Sequence, residues 1–424
     1  MLLRFAVENF RSIRERQELS LVASRLGGRR PPVPSPNAPE GILTVAAIYG
    51  ANAAGKSNLL EGLRFMWSAV LFSQTSWPAG GTVPVTPFAL DAQALGRPSV
   101  FSIDVEIDAI RYEYGFALDQ ARVQREWLYA YPQNRRQVWF ERDVQQPSEF
   151  RFGKHFTGPI KAIERLTRPN SLFLSAASQN NHPLSQQVVA AFLGIDFEGR
   201  FKVETTTKRM CAADTGFRQW LERELQAADL GIVGVQTTVL PEEPPSDEQV
   251  KLLGALRGSF GPRAELPTYL LQKSPDIEVE FIHRGAGPST SAAIRMDDES
   301  AGTKVWFSLL GPAYQALTTG GILCVDELDA SLHPRLVGAF VRLFVDRQTN
   351  PKHAQLLFTT HDTHLLDALR RDEIWFVEKD SGGATHVYPL TDYKPRADER
   401  IQRGYVSGKY GAVPVLDGMV LADE

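Results

Sequence analysis

Residues Gly50 to Ser57 read GANAAGKS and fit the spacing G-x-x-x-x-G-K-[ST]. The spacing suits phosphate chemistry: small residues let backbone N–H groups turn inward around phosphate oxygens, and a following helix N-terminus adds positive potential. Gly50, Asn52, Ala53, Ala54 and Gly55 would supply the wrap, Lys56 would reach the terminal phosphates, Ser57 would offer a hydroxyl to Mg2+, and Asn58 comes next. A second constellation is ILCVDELDASLHP, in which four apolar residues, Ile322 to Val325, deliver Asp326 and Glu327 to the end of a strand. Open α/β sheets bind ligands at that edge. Asp326 is placed to hold magnesium, and Glu327 to take a proton from water attacking a γ-phosphate.

Two further segments carry chemistry. The apolar strand LLFTT ends near His361, where an imidazole can hydrogen-bond a γ-phosphate oxygen and so distinguish a triphosphate from a diphosphate. In DDESAGTKVWFSLL, Ser300, Gly302 and Thr303 open a helix and make a second anion-binding terminus. One nucleotide needs only one such end, so the second can face the nucleotide of a two-fold partner. His333 and His364 are expected to cap helix ends, and no histidine pair has metal-ligand spacing.

The elements that must position these residues read as an α/β fold. LRFAVENF alternates like a half-buried strand, Glu18 to Val22 makes another, and the apolar run Leu43 to Tyr49 suits a central buried strand that stops at glycine. The helix after Gly55 carries Leu59, Leu63, Met66 and Val70 as an apolar stripe. From Thr82 to Glu141, short alternating segments with breaks at Asp108 and Asp119 predict an antiparallel sheet. Helical patterns dominate from Pro159 to Asp229, with LSQQVVAAFLG and FRQWLERELQAADLG each closed by a C-capping glycine. PEEPPSDE (241–248) is a surface loop or linker. The last third alternates strand and helix, which argues for a mainly parallel sheet. No heptad pattern lasts three repeats, and there is no internal repeat.

Composition narrows the class. The 424 residues suggest two or three domains at roughly 150 residues each, or one large domain with an insertion. The 46 Lys+Arg against 50 Asp+Glu give a net charge of −4, so no global positive field draws the chain to nucleic acid or anionic membrane. Cys211 and Cys324 read as buried thiols in a reducing compartment. The apolar runs, such as Phe65 to Phe72, fall short of the roughly 18 residues a membrane helix needs, and the N-terminus has no secretory h-region. A cytoplasmic location is the expectation.

Taken together, the phosphate loop, the S-x-G segment, the hydrophobic-Asp-Glu strand with its following D-A-S, and His361 resemble the ABC-type ATPase heads of the SMC, RecF and OLD group. The opening resembles that group too: its first strand commonly ends in a phrase like NFRS, here Asn9 to Ser12, and its loop in GKSN, here Gly55 to Asn58. The N-terminal MLLRFAVENFRSIRERQELSLVAS and the ending SGKYGAVP look closest to the RloA/AbiLi-like ATPases of bacterial defence loci. The resemblance implies ATP and Mg2+ as ligands and a head with a mixed, mainly parallel central sheet. An antiparallel β region and an inserted, largely helical lid complete it. The expected division is 1–150, an N-terminal ATPase lobe; 151–275, the lid; and 276–424, a C-terminal lobe. The resemblance further implies Arg11 at phosphate or ribose. It implies a homodimer sandwiching two ATP molecules, with Ser300, Ala301, Gly302 and Thr303 acting in trans and Asp329 as the dimer-loop acid. A higher assembly stays open.

Two departures stand out: ESAGT replaces the commoner LSGGQ, putting Thr303 where glutamine is usual, and no Q-loop glutamine is evident beyond Gln74. OLD-type relatives continue into a metal-dependent nuclease, for which only about 30 residues remain after Leu390. The leading expectation is thus an ATP-switched sensor or scaffold in phage defence with a separate effector protein. The competing one is a RecF-like DNA clamp using Arg29 with Arg30, and Arg135 with Arg136 near Trp127, Tyr129 and Tyr131. A stand-alone nuclease lacks a second carboxylate cluster.

Overall fold

The computed structural model describes residues 1–25, 28, 30–197, 203–240, 277–287, 290–396 and 398–414. The stretch 241–248 and Arg29 lie outside them. The chain divides into two compact units, 1–200 with 315–424, and 201–314.

In the larger unit, β1 (Leu2–Glu8) and β2 (Gln17–Ser20) pair antiparallel, β3 (Val33–Ser35) and β4 (Ala38–Ile42) form a small ribbon, and β5 (Val45–Gly50) is buried at every residue. Such continuous burial is what an all-apolar central strand predicts. The helix α1 (Lys56–Ser76) and a single turn, α2 (Ala92–Leu95), lead into β6 (Ser99–Ile107), β7 (Ile110–Leu118), β8 (Val123–Tyr131), β9 (Gln137–Asp143) and β10 (Phe150–Phe152). With β1 and β2 these make a seven-stranded, wholly antiparallel sheet in the order β10-β9-β8-β7-β6-β1-β2. The break expected at Asp108 is a tight turn in which Asp108 and Ala109 both take left-handed backbone angles.

Three helices follow, α3 (Ile160–Leu166), α4 (Phe173–Gln179) and α5 (Pro183–Leu193), then β11 (Ile195–Phe197). The compact division therefore falls elsewhere than at the expected 150/151 and 275/276 boundaries. α3–α5 belong to the larger unit because their apolar faces cover α1 and the antiparallel sheet. Phe173, Leu174, Ala176 and Ala177 are buried, Trp67 Nε1 on α1 donates to Phe192 O at 2.9 Å, and Arg168 donates to the carbonyls of Ser73 and Gln74 at 2.8 and 2.9 Å. A buried acid locks the same corner: Glu126 on β8 accepts the N–H groups of Phe173 and Leu174, at 2.6 and 2.9 Å, and the Tyr114 hydroxyl at 3.0 Å. A carboxylate suits this helix N-terminus, although burial pushes its pKa up. Gly194 ends α5 in a right-handed conformation, φ −78°, so the freedom of glycine is not used there.

The smaller unit contains α6 (Val203–Ala213), α7 (Thr215–Ala227) and a three-stranded antiparallel sheet of β12 (Ile232–Val239), β13 (Ile277–Arg284) and β14 (Ser291–Arg295). It is thus not helical alone. The helix α8 (Ala301–Thr319) starts in it and contains Pro312, whose missing N–H leaves the Ser308 carbonyl without its usual partner. Thr207 Oγ1 donates to that carbonyl at 2.8 Å. Gly311 allows the approach, since a Cβ there would lie 2.3 Å from Thr207 Oγ1.

The chain returns through β15 (Ile322–Val325), α9 (Pro334–Val345), β16 (Gln355–Thr359), β17 (Ile374–Lys379), β18 (Thr385–Pro389) and α10 (Ile401–Val406). Its strands complete a six-stranded sheet, β11-β15-β16-β5-β17-β18, parallel except for β18. The mixed, mainly parallel central sheet and the antiparallel region are those expected. His333 caps α9, its Nδ1 accepting from Arg335 N at 3.2 Å. His364 caps nothing: Asp362 takes the His364 N–H at 2.9 Å and is the cap of that short turn.

Candidate nucleotide site

Register decides what meets at the edge of the parallel sheet. Val325 of β15 pairs with Phe358 of β16, and Thr359 of β16 pairs with Ile48 of β5, so three adjacent strands end together. Beyond those ends lie Asp326 with Glu327, Thr360 with His361, and the phosphate loop.

The loop itself is set by two close approaches. Gly50 sits against β17, where a Cβ would lie 2.3 Å from the Val377 carbonyl oxygen. Gly55 has φ +111°, and a Cβ there would lie 2.1 Å from Thr385 Oγ1 and 2.9 Å from Ser12 Oγ. Ala53 is left-handed at φ 60°. Gly55 gives α1 no side-chain cap, so first-turn N–H groups are left for another acceptor. Lys56 is buried at 6% exposure, its Nζ donating to Gly50 O at 2.9 Å and Ala51 O at 3.1 Å and lying 3.1 Å from His361 Nε2. Burial lowers its pKa, against the opposing pull of Asp326, Glu327 and Asp329. An ammonium facing three carboxylates and a phosphate-type loop is arranged for an anionic, metal-bound ligand.

The acids are exposed at the same edge. Asp326 Oδ1 accepts the Thr359 hydroxyl at 2.6 Å, and the Glu327 N–H donates to that same Oγ1 at 2.7 Å. Glu327 is left-handed at φ 52°. Asp329 takes the His361 N–H on both carboxylate oxygens, each at 3.2 Å, which links the acid loop to the histidine within one chain. Exposed Ser57 and Asp326 offer hard oxygens. Among the described residues no group of three or more His, Cys, Asp or Glu forms an all-protein metal site. Mg2+ binds through one or two protein oxygens plus phosphate and water, so this sparse donor set fits it.

The N-terminal segment lies alongside. Asn9, buried and left-handed at φ 51°, holds the carbonyls of Ala94 and Arg97 and the Phe88 N–H. Arg11, also left-handed, reaches Asn58 Oδ1 at 3.5 Å and Glu61 at 3.2 Å, and so stands beside the first turn of α1. Behind the loop runs a directed chain: Asn58 Nδ2 donates to Ser12 Oγ at 2.7 Å, Ser12 Oγ and Thr385 Oγ1 lie 2.8 Å apart, and Thr385 donates to Ala54 O at 2.9 Å. Thr385 and Thr359 were invisible to sequence reasoning, since lone threonines in strands carry no spacing signal.

Other expected residues lie elsewhere. Gln74 is in the last turn of α1, bonded to Leu166 O at 3.2 Å and the Ser171 hydroxyl at 2.6 Å, about 27 Å along the helix from Lys56. It cannot serve as a Q-loop residue here. Ser300 caps α8, accepting the Thr303 N–H at 3.1 Å, with Ala301 exposed and Gly302 half-buried. Its neighbour Glu299 is held by His283 Nε2 at 2.5 Å. Three arginines around the expected basic cluster at the antiparallel sheet are paired with carboxylates, while no ion pair of Arg135 is found among the described residues. Arg136 stacks 3.8 Å over Tyr129 and pairs with Glu141, Arg111 lies 4.0 Å over Tyr131 and pairs with Asp104, and Arg125 pairs with Asp143. Arg30 is taken by Glu373. Both cysteines are free and buried, and burial raises their thiol pKa values, that of Cys211 to about 11. No helix among the described residues is long and apolar enough to cross a membrane.

Comparison with known proteins gives a family match and similarity to solved structures. The profile of the family described as "AAA domain, putative AbiEii toxin, Type IV TA system" matches residues 45–189 and 243–367, which include the phosphate loop, the acid pair and His361. No curated protein sequence matches the chain. Among solved structures, an Smc head bound to the C-winged helix domain of ScpA is 12% identical, with 93% of this chain and 99% of that one covered and a TM-score of 0.44. An Smc head with an extended coiled coil, bound to the C-terminal domain of ScpA derived from Pyrococcus furiosus, is 13% identical, with 93% and 97% covered and a TM-score of 0.41.

Proposed function

We propose, from the premise that the chain belongs to this AAA-domain family, that it binds and hydrolyses ATP at the edge of its parallel sheet and works as an ATP-switched sensor or scaffold in bacterial anti-phage defence. The observation that carries the reading is the convergence of Lys56, Asp326, Glu327 and His361 on one loop, with Lys56 Nζ 3.1 Å from His361 Nε2. The loop N–H groups and Lys56 bind the phosphates of ATP, and His361 meets the γ-phosphate. Ser57 and Asp326 would hold Mg2+, which neutralises charge on the phosphoryl oxygens. Glu327 takes the proton of the attacking water, and Arg11 contacts phosphate or ribose from the N-terminal segment.

The switch is a homodimer closed by two ATP molecules, each also contacted by Ser300, Ala301, Gly302 and Thr303 of the partner, with Asp329 near the dimer contact. Ser300 capping a helix that starts with small residues supports this role. The effector is a separate protein, and the setting is the cytoplasm, where the two free thiols stay reduced. Kinship with RloA/AbiLi-like ATPases rests on the N-terminal phrase and the SGKYGAVP ending. A RecF-like DNA clamp has less support, since two of the arginines it would use, Arg30 and Arg136, are paired with carboxylates. Glu327→Gln tests the reading: it should keep ATP binding, lower turnover about 100-fold or more, and trap a closed dimer at high ATP in light scattering. Normal turnover by that variant would remove Glu327 from the chemistry.

A further inference from the structure

Thr359 is the last residue of β16, fully buried, and its one hydroxyl serves both acids of the site. Its proton is given to Asp326 Oδ1 at 2.6 Å, a length typical of O–H to a charged carboxylate, while its oxygen accepts the Glu327 N–H at 2.7 Å. The two bonds leave the hydroxyl no freedom to rotate. They also bear on a costly conformation: Glu327 holds φ 52°, a backbone state that non-glycine residues enter only when the surroundings impose it. One residue further, Leu328 N donates to Thr359 O at 3.0 Å, and Asp329 takes the His361 N–H. The tip of β16 thereby holds the segment 326–329 along its length.

We propose that Thr359 is a positioning residue for hydrolysis, its hydroxyl fixing the Asp326 carboxylate toward the cation and holding Glu327 in the left-handed conformation from which its side chain acts. The inference rests on the reading of Asp326 and Glu327 given above. Because His361 follows two residues beyond the end of β16, the same strand tip ties the acid pair and the γ-phosphate contact into one rigid set. Nucleotide binding itself depends on the loop and Lys56, whereas the side-chain hydrogen bonds of Thr359 go to Asp326 and Glu327.

Thr359→Val keeps shape and removes the hydroxyl, whereas Thr359→Ser keeps the hydroxyl. In the full-length protein the valine variant should need about tenfold more Mn2+ to half-saturate its complex with a non-hydrolysable ATP analogue, read by Mn2+ electron paramagnetic resonance. Its kcat should fall about 30-fold with KM for ATP within about threefold, and serine should restore both quantities. If valine at this buried position unfolds the chain, Thr359→Ala is read the same way. Mn2+ half-saturation and kcat within threefold of the native protein would overturn the proposal. Glu327→Gln run in parallel separates the failures: if it is inactive while the valine variant is native-like, only the role of Thr359 falls, and if it hydrolyses normally the underlying reading falls first.

Discussion

Thr385→Val probes the support behind the phosphate loop. The threonine hydroxyl donates to Ala54 O at 2.9 Å and lies 2.8 Å from Ser12 Oγ, which in turn receives Asn58 Nδ2 at 2.7 Å. Valine fills nearly the same volume, so packing around the left-handed Gly55 should survive. Two hydrogen bonds at about 1 kcal/mol each are lost, and the Ala54 carbonyl is left with one acceptor site unmet in a buried place. If that energy is recovered only when the loop reorders around phosphate, about 2 kcal/mol corresponds to a roughly 30-fold rise in the Kd for ATP. Isothermal titration with a non-hydrolysable analogue measures it, with Thr385→Ser expected within about threefold of native. A valine variant with unchanged Kd and unchanged melting temperature would refute the idea that this chain of hydroxyls holds the loop.

Two further substitutions test the frame. Gly50→Ala forces a methyl to within 2.3 Å of the Val377 carbonyl across the β5–β17 pairing. We expect a cost of about 1–3 kcal/mol, seen as a melting temperature lowered by several degrees, together with loss of ATP binding. Glu373 is buried beside Arg30, and burial raises its carboxyl to about 7 despite that partner. A raised carboxyl means the folded protein binds a proton that the unfolded chain releases. Its contribution is present below about pH 4.5 and is lost as pH rises through 7. Glu373→Gln should therefore flatten the fall in melting temperature between pH 5 and about 7.5, and an equally steep fall in the variant would contradict the assignment.

How far the sequence reaches depends on the range of the signal. GANAAGKS, the strand into Asp326 and Glu327, and His361 were all recognisable, because each is a local pattern at the end of an apolar run. The parallel sheet was legible for the same reason, and so was the antiparallel one, whose alternation repeats from β6 to β9. What stayed hidden is long-range in the chain. Thr359 reaches Glu327 and Asp326, Thr385 reaches Ala54, and Glu126 reaches the start of α4, and none of these pairs leaves a spacing that can be read along one strand. The division into units meets the same limit: helical periodicity says that α3–α5 are helices but not which apolar surface they must cover.

By itself, then, the sequence determined the candidate groups and the kind of sheet edge that presents them, since residue type and strand period are local properties. Only the tertiary structure decided register, and register is what sets Val325 beside Phe358 and Thr359 beside Ile48. A one-residue slip would turn every side chain of β16 to the other face and take the Thr359 hydroxyl away from both acids. Hydrogen bonds with lengths near 2.7 Å exist or fail on such shifts, and no local pattern in the chain encodes them.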